Sequence, residues 1–76
     1  MTEPMQKSLR GMAGILQILH SNLKSILADE LKILGGIPDG PESRRISERV
    51  WKTCVHLQRS VRYIEDAIAQ ITDAAD

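Results

Sequence analysis

The chain is predicted to be all-α: an antiparallel two-helix hairpin that dimerises into a four-helix bundle. Two long runs of apolar residues recur in steps of three and four, the spacing that keeps side chains on one face of a helix and would scatter them over both faces of a strand. Between the runs lies Gly35-Gly36-Ile37-Pro38-Asp39-Gly40-Pro41, a segment that interrupts helical structure. Third, 76 residues with a single Cys and no Cys/His cluster of zinc-ligand spacing must form one domain held by packing alone, without a disulfide or a metal.

The first helix is expected over about residues 4–34. Its stripe is Met5, Leu9, Met12, Leu16, Leu19, Leu23 and Ile26. Gly11 and Gly14 each cost about 1 kcal/mol relative to Ala, which weakens its opening turns. The turn is expected over about 35–40. Gly35 or Gly36 can adopt the left-handed conformation that ends a helix, and Pro38 blocks continuation. Asp39 with Glu42 reads as a capping box, with Pro41 tolerated in the first turn. The second helix is expected over about 41–72, with Ser47, Val50, Cys54, Leu57, Val61, Ile64, Ile68, Ile71 and Ala75 on its stripe and fraying from Asp73 to Asp76.

Two helices that touch only each other need one narrow seam. The first helix also carries Ile15, Leu27, Leu31 and Leu34, and the second a flanking line of Ile46, Thr53, Ser60, Ala67 and Ala74. Apolar surface in excess of one seam predicts association, most simply a twofold homodimer. The expected dimer interface comprises Leu16, Leu19, Leu23, Leu27, Val50, Cys54, Leu57, Val61, Ile64 and Ile68. The competing solution is a hairpin that completes its core on a different protein.

Ten Lys+Arg balance ten Asp+Glu, so the molecule as a whole attracts neither nucleic acid nor an anionic membrane. Locally the second helix is polarised. Arg44, Arg45, Arg49, Lys52, Arg59 and Arg62 precede Tyr63, with Glu48 the one acid among them, and Glu65, Asp66, Asp73 and Asp76 follow it. This order opposes the helix macrodipole. Arg45, Arg49, Lys52, His56 and Arg59 fall opposite the apolar stripe and are expected in solvent. An antiparallel copy would bring basic halves near acidic ones, while an external anionic partner is the other use of the strip. No aromatic residues alternate with the bases to stack on nucleotides.

Trp51 sits at the margin of the stripe, where a large ring covers the bundle edge or anchors a partner. Tyr63 falls on the polar face. The candidate partner-binding residues are Arg44, Arg45, Arg49, Trp51, Lys52 and Arg59. Cys54 reads as a small buried hydrophobe. His56 lies two residues further on and faces elsewhere, so the two do not form a nucleophilic pair.

His20 flanks the first stripe in Leu19-His20-Ser21-Asn22-Leu23-Lys24. A dimeric hairpin with a histidine on its first helix resembles the dimerisation and phosphotransfer domain of sensor histidine kinases, which would make His20 a phosphoacceptor. That family places an acid after the histidine and a proline beyond it. This chain has Ser21 and no such proline, and His20 is expected at the seam edge. The Pro38-Asp39-Gly40-Pro41 turn resembles that of type III secretion needle subunits, whose first helix is far less apolar. This resemblance implies a small secretion-system subunit or chaperone.

Adjacent acids such as Asp29-Glu30 and Glu65-Asp66 diverge on a helix, no phosphate-binding loop follows Gly35-Gly36, and a core of Leu, Ile and Val leaves little room for a pocket. The expectation is therefore a protein that is not an enzyme, has no cofactor or metal, and serves as a protein-protein interaction module: a small adaptor, inhibitor or regulator. The alternative is a nucleic-acid-binding regulator using Arg45, Arg49, Lys52 and Arg59. No secretory signal precedes Leu9, and charges interrupt every apolar run before the ~18 residues a span requires. A soluble, cytoplasmic protein without membrane partners is expected.

Overall fold

A helix bears its side chains on seven lines that repeat every seven residues, and one neighbouring helix covers about two of them. In a computed structural model describing residues 2–76, that geometry gives α1 (Glu3–Gly36) and α2 (Pro41–Ala75), packed side by side. The rods run antiparallel in a molecule 60 by 14 by 11 Å. The described residues contain no strand, and none of the helices is long and apolar enough to cross a membrane.

On α2 the inward lines are those the spacing predicts. Cys54, Val61 and Ala75 are buried, and Ser47, Val50, Leu57, Ile64, Ile68 and Ile71 are half-buried between them. The α1 stripe divides instead. Leu9, Leu16 and Leu23 face α2, together with Gln6, Ala13, His20, Leu27 and Leu34. Met5, Met12, Leu19 and Ile26 stand one line outside the seam and are 43 to 56% exposed. The line through Leu9, Leu16 and Leu23 is the middle of a three-line apolar arc, and a single partner covers that line plus one neighbour. The neighbour turned inward is the more polar one, and its polar groups find partners. Gln6 Nε2 donates to the Ala75 carbonyl at 3.2 Å, and His20 Nε2 lies 3.0 Å from Glu65 Oε1.

The ends of the helices differ from expectation in three places. Gly35 and Gly36 are helical, and neither takes positive φ. The stop is made by Ile37, held extended at φ −74°, ψ 124° because the following Pro38 excludes the α region for it; its N–H reaches back to Leu34 O at 3.4 Å. The capping box of Asp39 and Glu42 does not form. With Pro41 as the first helical residue the cap position falls on Gly40, so Asp39 is one residue too early and no side chain caps α2. Gly40 adopts φ 155°, ψ 163°, a region open essentially to glycine. Residues 73–75 remain helical: Ala75 is 3% exposed, its carbonyl accepts from Gln6, and Asp76 N–H bonds Thr72 O.

Candidate interaction surface

With three of the described residues buried, the informative surface is what the seam leaves over. Among the described residues, eleven large apolar ones keep 43 to 71% of their surface exposed: Met5, Met12, Ile15, Ile18, Leu19, Ile26, Leu31, Ile33, Ile46, Trp51 and Tyr63. Five of them, Met5, Met12, Leu19, Ile26 and Ile33, are spaced by sevens and so form one straight ridge along α1. In an antiparallel pair the flanking lines meet like with like. The ridge therefore runs beside the corresponding line of α2, which is Ile46, Thr53, Ser60, Ala67 and Ala74. Ser60 and Ala67 are half-buried. Thr53 Oγ1 donates to Arg49 O at 3.0 Å and Ser60 Oγ to His56 O at 2.9 Å, so both hydroxyls are satisfied within their own helix. One side of the hairpin is thus an apolar ridge beside a shallow trough, about 42 Å from Met5 to Ile33 at 1.5 Å per residue.

The opposite side is polar. It carries the His20–Glu65 contact, with the His20 side chain 23% and that of Glu65 55% exposed, and beyond it Trp51 on α2 and Leu31 on α1, 56% and 48% exposed. An imidazole Nε2–H at this distance donates to the Glu65 carboxylate. Sequence reasoning placed His20 at the seam edge but did not find its acid. Glu65 flanks the α2 stripe at a level that only the antiparallel register reveals.

The six candidate partner-binding residues do not form one surface. Arg44 and Trp51 lie on the polar side next to the seam, Arg45, Lys52 and Arg59 form a line pointing away from α1, and Arg49 borders the apolar side. All six are exposed. Among the described residues the one salt bridge is His20–Glu65, so none of these cations is paired. Of the ten residues expected at a dimer interface, nine line the seam between the chain's own helices, and Leu19 lies outside it on the ridge. Cys54 is a free thiol, 4% exposed.

Among the open depressions of the described residues, two stand out. One of about 420 Å³ lies at the turn between Pro38, Asp39, Gly40, Pro41, Arg44 and Ser47, and one of about 330 Å³ between Pro4, Met5, Ser8 and Leu9. The first brings Asp39, Arg44 and Ser47 to one rim without a side-chain hydrogen bond or ion pair joining them, and no group of three metal-ligating side chains occurs among the described residues. Comparison of the chain with protein-family models, with curated proteins and with solved structures finds no match.

Proposed function

We propose that the protein is a noncatalytic protein-protein interaction module, a small adaptor, inhibitor or regulator that works as an oligomer of helical hairpins. The observation supporting this reading is the apolar surplus: among the described residues, eleven large apolar side chains are exposed against three buried residues. At about 25 cal/mol per Å² such surface favours removal from water, and a small domain with few buried side chains gains most from a partner.

A second reading, nucleic-acid binding, is favoured by one feature. Arg45, Lys52 and Arg59 recur at intervals of seven along α2, fully outward and without acidic partners, as phosphate contacts would require. Ionic strength separates the two. Affinity capture of the tagged protein from its native lysate, with and without nuclease, is expected to retain protein partners in both samples and through a wash at raised salt, because apolar contacts are weakly screened. Recovery of nucleic acid alone, released steeply by salt, would replace the first reading with the second.

A further inference from the structure

We infer that the ridge-and-trough side of the hairpin is covered by a second copy of this chain, placed so that α1 of each copy lies in the α2 trough of the other and the twofold axis runs parallel to the helices. The inference rests on the oligomeric reading above and adds the face, the orientation and the register.

Face and occupant follow from shape and area. Ridge and trough are equally long, parallel and adjacent, so the surface is complementary to itself when turned about an axis along the helices. Two helices about 10 Å wide over ~42 Å offer roughly 800 Å² per copy, the size of a standard stable interface. Covering the trough strands no hydroxyl, since Thr53 and Ser60 already donate to their own helix, and an unsatisfied buried donor is what makes polar surface costly to cover.

Orientation follows from register. A twofold axis along the helices leaves each residue at its own level, so α1 of one copy meets α2 of the other in the register seen within the hairpin. That register is fixed by Gln6 against Ala75 and by the turn. Leu19 then sits on Ser60, Met12 on Ala67, Ile26 on Thr53 and Met5 on Ala74, large against small in these layers, while Ile33 meets Ile46 beside the turn. The outer rims of this contact match as well. Asp29 of one copy comes level with Arg49 of the other, and Ile15 with Tyr63, all four exposed in the hairpin. Turning the second copy end over end instead stacks ridge on ridge and trough on trough, which wedges the bundle open along α2. It also sets the α2 rim of Glu42, Arg49, His56, Tyr63 and Gln70 against itself, so that Arg49 loses Asp29 as its level partner.

The experiment measures molar mass by sedimentation equilibrium for the full chain and its variants, with far-UV circular dichroism as the check on helix content. The expected species is a dimer of an 8.5 kDa chain. Ile26→Glu and Met12→Glu, each placing a charge on the ridge, are expected to raise the dissociation constant at least about a hundredfold with the helix retained. Ile18→Glu, on the outer surface, is expected to leave it unchanged. Orientation is read separately by Ile15→Cys with Tyr63→Cys in a Cys54→Ala background. The two positions lie on opposite outer rims of one hairpin, so only the proposed dimer forms the disulfide, giving a covalent dimer under mild oxidation. A dimer that survives both ridge variants would overturn the face while leaving the oligomeric reading intact. A dimer that does not cross-link would overturn the orientation. A monomer at all concentrations overturns the inference and the oligomeric reading together, and the face then belongs to a partner of different sequence.

Discussion

Gly40 and Gly14 show how one residue type serves opposite roles in this chain. Gly40 adopts φ 155° at the start of α2, where a Cβ is strained whatever space surrounds it. Gly40→Ala is expected to lower stability by about 1 to 3 kcal/mol, read as an earlier denaturant midpoint with unchanged slope. Gly14 is helical, and a Cβ built there meets nothing within 4 Å. Gly14→Ala is expected to raise stability by roughly 1 kcal/mol through propensity alone. Cys54, 4% exposed and mid-helix, is expected to react with a thiol reagent only as fast as the hairpin opens, and at full rate in denaturant. Rapid labelling of the native protein would mean that the seam is open at its centre.

At the level of the elements, α1 and α2 depend on each other because neither buries a side chain alone. Val61, 8% exposed, fills the middle of the seam. Val61→Ala is expected to cost about 2 kcal/mol, the lost transfer of two methyl groups plus a small cavity, against less than about 0.5 kcal/mol for Ile18→Ala, whose residue is 65% exposed. The His20–Glu65 contact lies at the solvent edge, so His20→Ala is expected to cost no more than about 1 kcal/mol. Thermal unfolding of the three variants checks the order. Element positions were largely legible in the sequence. The α2 stripe from Ser47 to Ala75 is the line that packs inward, because α2 has one dominant apolar line flanked by small or polar residues. The α1 stripe was half legible. It joined the central line through Leu16 and Leu23 to the ridge through Met12 and Leu19, since hydrophobicity alone favours those two, whereas the hairpin packs the central line with Gln6, Ala13, His20 and Leu27.

For the whole molecule, the basic half of α2 and its acidic end set how association responds to salt. The proposed dimer buries the ridge and keeps Arg45, Lys52 and Arg59 in solvent, so its dissociation constant is expected to change little, less than about tenfold, between 50 and 500 mM salt. A steep dependence, followed by sedimentation across that range, would instead point to charge as the force that holds the copies together.

The amino-acid order alone determined that there are two helices, where they break, and which face of α2 turns inward. Periodicity and the two prolines of the turn are local properties, and local properties can be read without knowing what lies across the molecule. Only the tertiary structure decided which shoulder of the α1 arc meets α2, which acid His20 reaches, and that Gly40 rather than Asp39 stands at the start of α2. An arc three lines wide offers two ways to fill a seam two lines wide. The choice between them rests on the register of the opposite helix and the path of the turn, which exist only once the chain has folded.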